Sequence, residues 1–156
     1  MRFKGDIIIT DPCYIMRQDH YDEDEEKSNG YEDMEELGIN HYLTRDTLYG
    51  DWSCTTYNSD TKEKIGDFCA DAGMVGVFLL DEVLKYNPEI DWYNTRPWTT
   101  TLIKGFDGEI EFKIIHTEGV YEDDTEWHKK GDKWIDKSLS VVGRGNINFE
   151  TRQTGF

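Results

Sequence analysis

The sequence is short of basic residues and has no long apolar run, and each shortage argues against a class of protein. Its 156 residues contain 17 Lys and Arg against 33 Asp and Glu, which gives a formal net charge of −16 at pH 7. Proteins bind phosphate backbones and anionic lipid heads mainly through Lys and Arg, so direct binding of nucleic acid or membrane is disfavoured. The charge favours a basic partner, a bound cation or simple solubility.

No apolar stretch approaches the ~18 residues needed to cross a bilayer, and no signal-peptide core follows the N-terminus. We therefore expect a soluble protein of the cytoplasm. Aromatic residues make up 13% of the chain and apolar residues 37%, which is enough for a hydrophobic core and argues against global disorder. The length fits one domain spanning residues 1–156.

Three cysteines are too few and too far apart for a disulfide framework, and none forms a close C-x-x-C pair. Each, however, lies near an aspartate in the sequence. If their segments are neighbouring strands, thiolates and carboxylates could converge on one structural zinc. The candidate ligands are Asp11, Cys13, Cys54, Cys69 and Asp71. The alternative is that all three cysteines are ordinary buried thiols.

The negative charge is concentrated in one segment. Residues 19–36 contain ten acidic residues and one lysine, a local charge of −9. We expect a loop and short helix inserted at about residues 19–38, because such dense like charge repels itself. The spacing does not match an EF-hand, so a calcium site is not predicted. With a second acidic loop, the predicted partner-binding residues are Asp22, Glu23, Asp24, Glu25, Glu26, Glu32, Asp33, Glu35, Glu36, Glu122, Asp123 and Asp124.

The rest of the chain has a β pattern. A first strand is predicted at Gly5–Ile15, where three consecutive isoleucines indicate cover on both faces. Further strands are expected within residues 41–57 and 65–80, and a helix at Glu82–Tyr86 capped by Asp81.

Two C-terminal hairpins are predicted from glycine turns. Asp107-Gly108 would join Thr99–Ile103 to Glu109–Ile115. Gly143-Arg144-Gly145 would join Leu139–Val142 to Asn146–Thr151. The predicted fold class is α+β, mainly β: a twisted antiparallel sheet or half-barrel with two short helices.

No nucleophile elbow, P-loop, dinucleotide-binding turn or zinc-protease helix is present, so the sequence predicts no enzyme. An alternative function is a β pocket that binds or cleaves a nucleotide signal. Its candidate aromatic lining is Trp92, Tyr93, Trp98, Trp127 and Trp134, which could equally fill the sheet core. The candidate cations for an anionic nucleotide are Arg96, Lys104, Arg144 and Arg152.

Two segments resemble small bacterial and phage-borne proteins that open with a hydrophobic strand ending in Asp-Pro-Cys-Tyr. Here that motif is Asp11-Pro12-Cys13-Tyr14, and their second element is similar to Cys69-Ala70-Asp71-Ala72-Gly73, with Gly50-Asp51-Trp52 between them. The resemblance implies a phage or mobile-element origin. It suggests the anti-CRISPR class of small acidic proteins, in which metal-containing members would give the Cys and Asp segments a structural role.

The predicted function is a non-enzymatic acidic phage inhibitor. It would bind a basic nucleic-acid-handling protein of host defence, foremost a Cas9-type CRISPR nuclease, and block nucleic-acid loading. Such binding should weaken as salt rises.

Overall fold

The computed structural model describes residues 1–16, 34–47 and 52–155. Within these ranges the chain is α+β and mainly β, as predicted. The strands are β1 (Arg2–Thr10), β2 (Tyr42–Asp46), β3 (Trp52–Asn58), β4 (Lys64–Ala70), β5 (Met74–Leu79), β6 (Thr100–Val120), β7 (Lys133–Gly145) and β8 (Phe149–Gly155). The helices are α1 (Leu80–Tyr86) and α2 (Trp92–Thr95), with 3-10 turns at Pro12–Tyr14 and Met34–Leu37. None of the helices in the described ranges is long and apolar enough to cross a membrane.

All eight strands belong to one antiparallel sheet in the order β2-β5-β1-β6-β7-β8-β3-β4. The sheet curls but is not closed into a barrel. Its two distant strands β4 and β6 nevertheless approach each other. Thr101 Oγ1 donates to the carbonyl of Asp67 over 3.0 Å and lies 3.1 Å from the Thr56 hydroxyl. Hydroxyl groups therefore bridge β4 and β6, which are not neighbours in the strand ladder, beside a backbone hydrogen bond from Cys69 to Thr99.

The curl gives the sheet two hydrophobic layers. Alternate residues of a strand point to opposite faces, so Ile7 and Ile9 enter the inner core, which also contains Phe3, Phe106 and Phe149. Ile8 points the other way, into a second layer under α1. All three isoleucines are fully buried. The prediction that this strand is covered on both faces is confirmed, although β1 ends at Thr10 and the chain then enters a 3-10 turn.

The predicted hairpin at Asp107-Gly108 is wrong. These residues lie in the middle of β6, a single strand of 21 residues. Gly108 is needed there for close approach, because a Cβ atom would come within 2.3 Å of the Arg144 carbonyl oxygen and 2.7 Å of Gly145 Cα. A glycine that permits two backbones to approach has the same sequence signature as a glycine in a turn.

Two further boundaries differ from the predictions. β7 continues through Gly143-Arg144-Gly145, and its turn to β8 falls at residues 146–148. Gly143 lies under the Phe149 ring, which would be 2.1 Å from an added Cβ. The helix cap assigned to Asp81 is also wrong, since α1 begins at Leu80, its N-cap is Leu79, and no side chain caps it. Most of the loop and short helix predicted at about residues 19–38 lies outside the described residues.

Candidate partner-binding ribbon and the Asp and Cys cluster

The outer parts of β6 and β7 form a two-stranded extension of the sheet. β1 pairs with β6 only up to Glu109, and β8 pairs with β7 at Val142 and Gly143. Beyond these points β6 residues 111–120 pair with β7 residues 133–142 in unbroken register. The two outer arms are residues 111–120 of β6 and residues 133–138 of β7. Among the described residues no third strand pairs with either arm. We call these two arms the distal ribbon and residues 121–132 between them the tip loop.

One face of the distal ribbon continues the inner core outward. Ile110 is 1% exposed and Phe112 packs against the inner core, whereas Ile114, on the same face, is 44% exposed. Further out, Val120 is 53% and Ile135 62% exposed. Apolar side chains on this face therefore continue from the core into solvent, with an interruption at the exposed pair His116 and Lys137.

The tip loop has a defined conformation despite its exposure. The His128 ring stacks on Tyr121 with ring centroids 3.6 Å apart. The Thr125 hydroxyl accepts the backbone N–H of Trp127, and Asp124 Oδ1 accepts that of Lys130 over 2.7 Å. These contacts fix the backbone, while the Trp127 side chain is 85% exposed. The loop therefore displays a large apolar side chain on an ordered support.

Four carboxylates precede this tryptophan in the tip loop. The tip loop contains five acidic and two basic residues. Glu122, Asp123, Asp124 and Glu126 are all exposed. Asp123 lies 3.5 Å from His128 Nε2, and Asp124 supports the loop backbone. Glu122 and Glu126 have no ion pair among the described residues, so their charge faces solvent unneutralised.

The structure locates five of the predicted partner-binding residues. Glu122, Asp123 and Asp124 lie in the tip loop, and Glu35 and Glu36 lie exposed on the 3-10 turn Met34–Leu37. The remaining predicted residues fall outside the described ranges: Asp22, Glu23, Asp24, Glu25, Glu26, Glu32 and Asp33.

The two segments that carry the sequence resemblance meet in space. Asp11 is fully buried at the end of β1. Its Oδ1 accepts the backbone N–H of Cys13 over 2.9 Å, and its Oδ2 accepts those of Ala72 over 2.7 Å and Met74 over 3.3 Å. One carboxylate thus ties the Asp-Pro-Cys-Tyr turn to the β4–β5 turn. Burial raises the pKa of Asp11 and outweighs these hydrogen bonds, which favour its ionised form.

The thiols are held in their protonated form. Burial raises the pKa of Cys13, and the nearby carboxylates of Asp11 and Asp71 raise it further. Burial is also the main cause of the raised pKa values of Cys54 and Cys69. A metal ion would have to displace these protons before the sulfur atoms could bind it.

The five predicted zinc ligands fall into two sets. Asp11, Cys13 and Asp71 lie near one another at the β4–β5 turn. Cys54 and Cys69 lie on the adjacent strands β3 and β4, one in the inner core and the other partly exposed. In the described ranges no three His, Cys, Asp or Glu side chains are grouped so that they could hold a metal ion. The zinc site stays a prediction.

The predicted nucleotide-binding residues are divided among several parts of the molecule. The guanidinium carbon of Arg96 lies 4.1 Å from the centroid of the Trp92 ring. Nη2 of Arg152 lies 3.5 Å from Oε1 of Glu150. Arg144 borders a groove of about 390 Å³ between two turns. The lining of that groove contains no Trp or Tyr: it is formed by Ser59, Asp60, Lys62, Val142, Gly143, Arg144, Asn148 and Glu150.

Comparison of the chain with protein-family models, curated proteins and solved structures found no match.

Sequence reasoning missed the distal ribbon and the exposure of Trp127 and Ile135 on it. In the sequence Ile110, Phe112 and Ile114 alternate with polar residues, a pattern typical of a strand with one buried face. That face is buried only near its root. One signal was available: Glu122 to Glu126 place four carboxylates immediately before Trp127, a position unsuited to a core residue.

Proposed function

We propose that the protein is a non-enzymatic inhibitor that binds a basic, nucleic-acid-handling protein of host defence, a Cas9-type CRISPR nuclease, and blocks nucleic-acid loading. The observation that carries the proposal is the set of unneutralised carboxylates at the tip of the distal ribbon. The charge of −9 in residues 19–36 supports it independently. The sequence resemblance to phage-borne proteins supports the choice of a host-defence partner.

The physical basis is competition for one kind of surface. A channel that holds nucleic acid is lined with Lys and Arg, which bind phosphates and release counterions. A fixed acidic surface attracts the same side chains and raises the rate of encounter. A projecting arm can reach into such a channel where a flat surface cannot. Occupancy of the channel then excludes the nucleic acid.

The test is a binding titration against the purified nuclease without its guide RNA, at several salt concentrations. We expect a complex whose association rate falls steeply as salt rises, because exposed charges are screened over about 8 Å at physiological ionic strength. Guide RNA added first should prevent the complex. The proposal is wrong if the two proteins do not associate, or if preloaded guide RNA leaves binding unchanged.

Charge-reversal variants locate the surface. Glu122→Lys with Glu126→Lys changes the tip without removing Asp124, which supports the loop backbone. Asp22→Lys with Asp24→Lys and Glu26→Lys tests the acidic segment. The matched control is Glu63→Lys with Glu89→Lys, at two exposed acidic positions outside the ribbon. We expect roughly tenfold slower association for either test set at low salt. Equal loss in the control would indicate only a general effect of net charge.

A further inference from the structure

The exposed apolar side chains are concentrated on the distal ribbon and its tip loop. The described residues include six large hydrophobic side chains that are exposed, and four of them belong to this extension. They are Ile114, Val120, Trp127 and Ile135. A solubilising acidic arm needs none of these, since exposed apolar groups work against solubility. Their concentration indicates a contact surface.

Three of the four share one face of the ribbon. Glu118 pairs with Ile135 and Val120 with Lys133, so Val120 and Ile135 are diagonal neighbours on the same face. Ile114, opposite the buried Leu139, joins this face to the inner core. The apolar residues therefore form two groups on this face, Ile114 next to the core and Val120 with Ile135 near the tip, and the exposed pair His116 and Lys137 lies between them.

Trp127 is presented for binding with little freedom left in its backbone. Its N–H donates to Thr125 Oγ1 over 3.1 Å, and the next residue, His128, stacks on Tyr121. A side chain on an ordered support loses less conformational entropy on binding than one on a flexible loop. Tryptophan is also among the residues most enriched at the energetic centres of protein interfaces.

The charge around Trp127 identifies the occupant. Four carboxylates precede it and two lysines follow it, and with Asp132 the tip loop has a net charge of −3, which favours a positively charged surface as its cover. A second copy of this chain, at −16, carries the wrong sign. An anionic membrane is disfavoured for the same reason. A basic protein groove with an apolar floor satisfies both the carboxylates and the tryptophan.

We infer that Trp127, with Val120 and Ile135 at the outer end of the distal ribbon, forms an anchor that inserts into an apolar patch within the basic groove of the partner. This inference rests on the proposed function and adds an apolar contact to the electrostatic one. The carboxylates govern how fast the complex forms, and the anchor governs how slowly it dissociates.

The experiment separates the two parts by kinetics. Association and dissociation rates are measured against the nuclease without guide RNA for the natural protein, Trp127→Ala and Ile135→Thr. The matched control is Trp98→Ala, because Trp98 is 56% exposed but lies outside the ribbon. Trp127→Ala should raise the dissociation rate roughly tenfold or more, with the salt dependence of association unchanged. Ile135→Thr should raise it less, and Trp98→Ala should leave both rates unchanged. Circular dichroism and melting curves check that each variant folds.

The outcomes distinguish the inference from the proposed function. Salt-sensitive binding in which Trp127→Ala and Trp98→Ala dissociate at the natural rate overturns the anchor and leaves the proposed function intact. Absence of any complex overturns both. A Trp127→Ala variant that only slows association, with an unchanged dissociation rate, also contradicts the anchor.

Discussion

The root and the distal ribbon of the β6–β7 pair share one strand pattern and have opposite surroundings. At the root, Ile110 and Leu139 are each 1% exposed and pack in the inner core. In the ribbon, Val120 and Ile135 occupy the same face and are more than half exposed. Hydrogen bonding in the ladder is continuous across both regions. Alternation thus specifies which residues share a face, and packing partners decide whether that face is buried.

This difference separates stability from binding. The root is expected to determine the free energy of unfolding, because its side chains lose solvent contact on folding. The ribbon is expected to contribute little to the free energy of unfolding, since most of its apolar surface remains exposed to solvent in the folded protein. Substitutions in the two regions should therefore affect different measurements.

The largest effect is expected at the root for Phe106→Ala. Phe106 is fully buried and packs edge-to-face against Phe149, with ring centroids 5.4 Å apart. Removing the ring should lower the free energy of unfolding by about 3–5 kcal/mol. Urea denaturation measures the loss. A loss below ~1 kcal/mol would show that the inner core is loosely packed.

Asp11→Asn is expected to cost about 2 kcal/mol, because one of the backbone N–H groups that meet at this carboxylate would lose its acceptor. The loss should depend on pH. Since burial raises the pKa of Asp11, its contribution to stability is greatest below its ordinary pKa and falls as pH rises through the raised value. The deficit of the variant should therefore shrink as pH rises from about 4. Denaturation at a series of pH values tests this, and a deficit that grows over that range would contradict it.

Gly108→Ala compares the two regions directly. Its Cβ would meet backbone atoms of Arg144 and Gly145, which cannot move without breaking the ladder. We expect a loss of about 1–3 kcal/mol. The control is Gly119→Ala in the ribbon, where the Cβ would meet the Trp134 ring. That ring can turn away, so the control should lose less stability. Thermal melting compares them, and equal losses would refute the distinction.

The smallest effect on stability is expected for Ile135→Thr. Ile135 is 62% exposed, and threonine retains the β-branched shape suited to a strand. The free energy of unfolding should change by less than about 0.5 kcal/mol. A larger loss in urea denaturation would mean that the ribbon packs against part of the protein, and would weaken its assignment as a free contact surface.

The strand content and the double cover of β1 could be predicted from the sequence, because local alternation and β-branched residues report on them. The neighbours of each strand could not. The sequence predicts a turn at Gly108, because the contact of Gly108 with Gly145 connects residues far apart in sequence. Similarly, the sequence indicates the acidic residues Glu122 to Asp124, but the exposure of Trp127 depends on where β1 and β8 end. The sequence predicts Asp11 and Asp71 as metal ligands, whereas the hydrogen bonds of Asp11 to Ala72 and Met74 become evident only from the fold.

The contact between Gly108 and Gly145 also sets a length. Twelve residue steps separate this pair from Val120 and Lys133, and they correspond to roughly 40 Å of strand. The register between the arms has no interruption over this span. The number of paired residues therefore sets the distance between the tip loop and the core of the sheet. Deleting two facing residues from each arm would keep every side chain on its face and withdraw the tip by roughly 7 Å. Such shortened chains would measure how deep the partner's groove is.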